Sequence, residues 1–312
     1  MTHILYPNLL RAAALLVAST IVPSCAPVDA LNASVSTRGL QILRDIAYAP
    51  GPRGRLDLYR PAMLAERPPL VVFIYGGSWK TGSKDDYQFV AAPLARAGLV
   101  VAVPDYRLYP EVRFPVFLED NARAVAFARA HAAEWGADPD RVFLIGHSAG
   151  AYNVTMLAMD AHYLAAEGVA AASLSGVVGI ATPADFLPIR EEDIRDIFST
   201  APDPAASQPV AFADGHNPPL LLLHGGADST VYPRNSTSLT GRIKAAGGPV
   251  ELKIYPEVGH IGIITSFAPL FEGRAPVLAD VLAFIRAHGG TVNATPNVPP
   301  GVPPNAHRPG AL

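Results

Sequence analysis

Arg141-Val142-Phe143-Leu144-Ile145-Gly146-His147-Ser148-Ala149-Gly150 reads as a buried strand that breaks into a G-x-S-x-G turn and opens a helix over Ser148 to Asp160. That context, strand before and helix after, is what the nucleophile-elbow motif requires. A turn this sharp crowds its own backbone, so small residues are needed at Gly146 and Gly150. It also presents the Ser148 hydroxyl at the sheet edge, with the helix N-terminal amides, Ala149 in particular, aimed where negative charge would develop.

Outward from this stretch, further apolar runs rich in Val, Ile and Leu read as strands buried on both faces of a parallel sheet: Leu70 to Tyr75, Leu99 to Pro104, Ala171 to Leu174, Leu220 to Leu223 and Val250 to Tyr255. Helical patterns fall between them at Val116 to Trp135, Ser236 to Ala246 and Pro276 to His288. Strands alternating with helices imply right-handed crossovers and a mostly parallel, doubly wound α/β sheet, with functional groups at the carboxyl ends of the strands. Arg38 to Arg60, with its alternating Leu56-Asp57-Leu58-Tyr59, suits one or two leading strands antiparallel to the rest at an edge. Gly176 to Pro219 is the longest connection without a clear strand and is expected to form a small lid over the strand ends.

A serine hydroxyl needs a base to take its proton, and the base needs a carboxylate, in the chain order Ser, Asp, His. The run Leu220 to Asp228 is a strand entering the glycine-rich loop His224-Gly225-Gly226-Ala227-Asp228, which delivers Asp228 to the carboxyl edge. Val250 to Tyr255 likewise leads into Pro256-Glu257-Val258-Gly259-His260. Ser148, Asp228 and His260 are therefore the candidate nucleophile, orienting acid and base. Of the chain's other histidines, His147 lies inside the elbow and is expected to face away from Ser148 as a packing or hydrogen-bonding group. His224 precedes Asp228, the wrong order for a base, and His216 and His288 are expected at the surface. Asp214 and Glu257 are possible substitute acids, but neither follows a strand at the expected place.

The other half of an anion-stabilising pocket is expected after an early strand, where Leu70 to Tyr75 runs into Gly76-Gly77-Ser78-Trp79. With this run, the G-x-S-x-G elbow, H-G-x-x-D, a late Gly259-His260 and Asp105-Tyr106-Arg107-Leu108, the chain resembles esterases and lipases of the α/β-hydrolase superfamily, near the hormone-sensitive-lipase-like and kynurenine-formamidase-like carboxylesterases. The likeness extends from about Ala47 to His288 and implies an α/β-hydrolase fold. By position it assigns the oxyanion hole to Gly76, Gly77 and Ala149, and a chiefly structural role to the Asp105 run. Tyr75 stands for the usual histidine and Ser78 for the third glycine. Trp79 and Phe186 are candidates for shaping a substrate pocket. The implied activity is hydrolysis of carboxylic esters with small or medium acyl groups through an acyl-enzyme on Ser148. The alternatives are an arylformamidase-type amidase or a polysaccharide deacetylase using the same three residues, or a non-catalytic binding module.

The 312 residues are 50% hydrophobic and 16% charged with a net charge of −3, a balance that suits a globular enzyme with a large core and gives no electrostatic case for nucleic-acid partners. No H-E-x-x-H or cysteine ligand set predicts a metal, and no G-x-G-x-x-G after the first strand predicts a dinucleotide, so no cofactor is expected. Residues 1–30 read as a leader for export: Arg11 precedes an apolar stretch, Ala12 to Val22, too short to span a bilayer comfortably. The single cysteine, Cys25, sits where a bacterial lipobox would carry a lipid anchor, and Val28-Asp29-Ala30 offers ordinary cleavage instead. A periplasmic, secreted or membrane-anchored location follows. The expected domains are this leader, a catalytic domain over 31–288, and a proline-rich tail over 289–312. Nothing in the sequence speaks to oligomeric state.

Overall fold

The apolar runs assemble into one sheet because their side chains have no polar face to turn to water. The structure, a computed structural model, describes residues 26–64 and 66–289. Its elements in chain order are α1 (Ala26–Ser34), β1 (Leu40–Ala47), β2 (Arg55–Pro61), β3 (Pro69–Ile74), α2 (Gln88–Arg96), β4 (Val100–Pro104), α3 (Val116–His131), β5 (Asp138–His147), α4 (Ala149–Met159), α5 (His162–Ala166), β6 (Gly176–Ile180), α6 (Glu192–Ile197), β7 (Leu220–Gly225), α7 (Arg234–Ala245), β8 (Val250–Tyr255), α8 (His260–Thr265) and α9 (Val277–Ala287).

Eight strands lie in the order β1-β2-β4-β3-β5-β6-β7-β8. All pairings from β4 through β8 are parallel, whereas β2 pairs antiparallel with both β1 and β4. The leading strands thus form the expected edge, and β2 is the one that runs against the others. Every residue of β3, β4, β6 and β7 is buried, the pattern of strands covered by helices on both faces. At the two opposite edges, β1 and β8 are only partly covered.

One expected strand is misplaced. Ala171 to Leu174 contains a short 3-10 turn, Ala171–Ser173, and the strand is the next segment, Gly176–Ile180. Its glycines conceal it from an apolar-run reading, yet packing demands them. A methyl group at Gly176 would stand 2.7 Å from the Phe284 ring, and one at Gly179 would stand 2.3 Å from the Thr182 hydroxyl. The lid therefore begins after Ile180, not at Gly176, and contains α6.

Residues 26–30, expected within the leader, form the first half of α1. This helix is tied to the sheet's flank through Asn32, whose Nδ2 donates to the Asp85 carbonyl at 2.9 Å and whose Oδ1 accepts from the Phe89 amide at 3.0 Å. Cys25 with the rest of the leader, and the proline-rich tail beyond Gly289, lie outside the described residues.

Candidate active site

The elbow joins β5 to α4, and the backbone closes so tightly there that the two glycines have no substitute. A methyl group at Gly146 would lie 2.2 Å from the Gly150 carbonyl oxygen, and one at Gly150 would lie 2.0 Å from that of Ile74. Ser148 itself sits at φ 55° and ψ −122°, a conformation that costs a residue with a Cβ about 1–3 kcal/mol. The turn is pinned by the Ser148 amide, which donates to the Ile180 carbonyl at 2.9 Å, and by the Ser148 carbonyl, which accepts from Tyr152 at 3.0 Å.

The three candidate residues, far apart in the chain, meet at the carboxyl edge. Ser148 Oγ lies 2.9 Å from His260 Nε2, and His260 Nδ1 lies 2.8 Å from Asp228 Oδ2. The other oxygen of Asp228 accepts from the Thr230 and Val231 amides, each at 2.9 Å. Burial by itself would raise the Asp228 carboxyl, but hydrogen bonding and charge from His224, His260 and the Val231 amide outweigh it and hold the group well below the ordinary carboxylate range. It remains an anion beside His260. Because Asp228 can only accept, Nδ1 of His260 carries the proton, which leaves Nε2 free to accept from the serine.

Two further histidines brace this arrangement. His224, fully buried, holds Ser236 Oγ at 2.7 Å on Nδ1 and the Val231 carbonyl at 2.8 Å on Nε2. A carbonyl only accepts, so the Nε2 proton points to Val231. The same nitrogen stands 3.6 Å from Asp228 Oδ2, an electrostatic contact rather than a hydrogen bond. The chain order that rules out His224 as a base says nothing of this bracing role. Its signal in the sequence is the four-residue spacing to Asp228 at a strand end. His147 donates from Nε2 to the His260 carbonyl at 3.2 Å, and the two rings lie 4.9 Å apart. Burial and then the neighbouring His260 depress its pKa to about 3, so it is neutral. His216 is exposed and faces Asp214 at 3.5 Å, Glu257 is exposed, and His288 packs on Phe284; none approaches Ser148.

The loop after β3 carries Gly76 and Gly77, the two glycines to which the resemblance assigns oxyanion-hole amides. A methyl group at Gly76 would stand 2.9 Å from Ser148 Cβ and 2.9 Å from the His147 carbonyl oxygen, so the Gly76 backbone packs directly against the elbow. Gly77 turns the chain at φ 122°, and Ser78 and Trp79 follow at φ 54° and 58°, three successive residues in the left-handed half of the map. Ser78, Trp79, Ser148 and Ala149 line one cavity of about 280 Å³. Its other walls come from the lid and the loop after β7, including Phe186, Ile194 and Val231. Trp79 is buried and donates from Nε1 to Asn153 Oδ1 at 3.0 Å, and its ring meets Phe198 edge-on. Phe186 packs edge-on against Tyr152 and Phe198.

Tyr75 takes up the anchoring task at the position of the family's histidine. Its ring is stacked between Tyr87 and Tyr106; its hydroxyl donates to Asp105 Oδ1 at 2.7 Å and accepts from Arg53 Nη1 at 3.0 Å. Asp105 Oδ1 also accepts from the Lys84 amide at 2.9 Å. Tyr75→Phe removes a donor from a buried carboxylate and is expected to lower stability by about 1–3 kcal/mol, a drop of several degrees in Tm. An unchanged thermal melt would show that the hydroxyl does not hold this loop.

A family model, BD-FAE, matches residues 56–243, a span that includes Ser148 and Asp228 and ends before His260. Among curated relatives, isoprenylcysteine alpha-carbonyl methylesterase of Arabidopsis thaliana is 30% identical over 79% of this chain and 62% of its own length. Kynurenine formamidase of Salmo salar is 27% identical over 73% of this chain and 78% of its own. The chain thus spans less than two thirds of the plant relative. Among solved structures, esterase B of Lactobacillus rhamnosis superposes with a TM-score of 0.70 at 22% identity, covering 84% of this chain and 92% of that one. At that identity the likeness speaks to the fold, which is that of the α/β-hydrolases.

Proposed function

The chain belongs to the BD-FAE family, and from that premise we propose that it is a serine hydrolase of carboxylic esters, with Ser148 as nucleophile, His260 as base and Asp228 as the acid that orients it. The observation that carries this reading is the continuous relay from Ser148 Oγ to His260 Nε2 at 2.9 Å and from His260 Nδ1 to Asp228 at 2.8 Å.

In the first half-reaction Ser148 Oγ attacks the ester carbonyl carbon while its proton passes to His260 Nε2. Asp228, held ionised, stabilises the resulting imidazolium. The carbonyl oxygen becomes an oxyanion facing the amide of Ala149 and the amides of the Gly77-Ser78 turn. The left-handed residues of that turn, held in place before substrate arrives, supply fixed donors at a backbone cost met during folding. Collapse of the tetrahedral adduct breaks the bond to the alcohol oxygen, which takes the proton from His260, and Ser148 is left acylated. Water, deprotonated by the same nitrogen, then releases the acid and restores the serine. A cavity of about 280 Å³ walled by Trp79, Phe186 and Ile194 suits a small or medium acyl group.

The name of the kynurenine formamidase relative favours a second reading, in which the same relay cleaves a formamide. Incubation of the folded protein with a fluorophosphonate probe tests the nucleophile. Mass spectrometry is expected to find stoichiometric modification on the peptide that contains Ser148, and absence of labelling would support a binding module instead. A panel of nitrophenyl esters and aryl formamides then separates esterase from amidase.

A further inference from the structure

The charges around the cavity are of two kinds. Asp193 and Asp196 of α6 bind the lid to the body of the protein: Asp193 pairs with Lys80, and Asp196 accepts from Arg113 Nη2 at 2.8 Å and from the Tyr109 hydroxyl at 2.6 Å. The Ile197 carbonyl also accepts from the Phe114 amide at 2.9 Å.

Arg190 and Arg234 are different. Both line the cavity that contains Ser148, one from the lid and the other from the loop-to-helix junction after β7. Both are exposed at its rim, and neither guanidinium has a hydrogen-bond or ion-pair partner among the described residues. Glu191 is the one carboxylate in the same lining, so the rim has a positive excess. Arg234 moreover occupies the first turn of α7, which holds no acidic residue. A cation at a helix N-terminus opposes the macrodipole, so this placement gives nothing to the helix and leaves the junction strongly attractive to anions. Below the rim, Trp79, Phe186, Ile194 and Val231 make the walls apolar.

Resting on the esterase reading above, we infer that the preferred substrates are esters bearing a carboxylate on the part that projects from Ser148 to the rim, where Arg190 and Arg234 receive it. The planar guanidinium fork matches a carboxylate with two parallel hydrogen bonds, and two forks from separate elements fix its position.

The test compares matched ester pairs that differ in one charge. For an anion on the leaving group these are 4-acetoxybenzoate and 4-acetoxybenzamide; for an anion on the acyl group they are the mono-4-nitrophenyl ester of adipic acid and 4-nitrophenyl hexanoate. In at least one pair the charged ester is expected to have the higher kcat/KM, mainly through KM. The Arg190→Gln/Arg234→Gln protein is expected to lose that preference at least tenfold, and Arg190→Lys/Arg234→Lys to retain part of it. The preference is also expected to shrink as salt rises, as for any rim charge. Hydrolysis of the neutral esters without preference for either charged partner, or a preference that survives the double glutamine substitution, overturns the anion site and leaves the esterase reading standing. Failure to hydrolyse any of the four overturns both.

Discussion

Ser148→Ala is expected to lower kcat on a short-chain nitrophenyl ester by roughly a hundred-thousandfold to a millionfold, the scale on which serine hydrolases lose their nucleophile. The control for folding is built into the substitution. Alanine keeps the Cβ, so the strained conformation at φ 55° is unchanged, and the backbone bonds to Ile180 and Tyr152 do not involve the side chain. The thermal melt of the variant should therefore match that of the parent to within about 1 kcal/mol, the net worth of the hydroxyl's bond to His260. What activity survives should be the contribution of the amides and of substrate binding, which do not depend on the serine. A loss of less than a hundredfold in a folded variant would remove Ser148 from the mechanism.

For Asp228→Asn the expected loss is roughly ten-thousandfold in kcat, again with little change in fold. The asparagine oxygen can still accept from the Thr230 and Val231 amides, so the loop keeps its two 2.9 Å bonds. Its Nδ2 then faces His260 Nδ1 with a proton where the native residue has a lone pair. His260 must answer by moving its own proton to Nε2, which turns the nitrogen 2.9 Å from Ser148 from acceptor into donor. The base is thus disabled by tautomer rather than by displacement, and the negative charge that steadies the imidazolium is lost as well. Burial weighs on both terms, because Asp228 is only 3% exposed and its charge acts on His260 with little screening by water. A loss under tenfold in kcat would show that another carboxylate orients His260. Among the described residues the two other candidate acids are placed elsewhere: Asp214 faces His216 at the surface and Glu257 is exposed.

The resemblance to α/β-hydrolases, visible in five short motifs, and the fold agree because each motif marks a place where backbone geometry leaves little choice. Gly146 and Gly150 are legible in the sequence for the same reason that they are irreplaceable in space: carbonyl oxygens 2.2 Å and 2.0 Å from a would-be methyl group admit no side chain. The unalternating runs of β3, β4 and β7 were equally legible, since strands covered on both faces have no polar positions. The strand Gly176–Ile180 was not, because its glycines answer to the Phe284 ring and the Thr182 hydroxyl, partners that no local pattern names.

The sequence by itself determined the elbow at Ser148, the class of fold, and the order in which Asp228 and His260 follow it, because these depend on local turn chemistry and on hydrophobic periodicity. Tertiary structure alone decided the rest. It set the Gly76 backbone against the elbow at Ser148, placed His224 and His147 as braces on the acid and the base, and brought Arg190 and Arg234 to one rim. The physical reason is that a hydrogen bond or a charge contact acts over a few ångströms of space between residues separated by tens or hundreds of positions, as His147 and His260 are. Periodicity carries no record of such meetings until the sheet has closed.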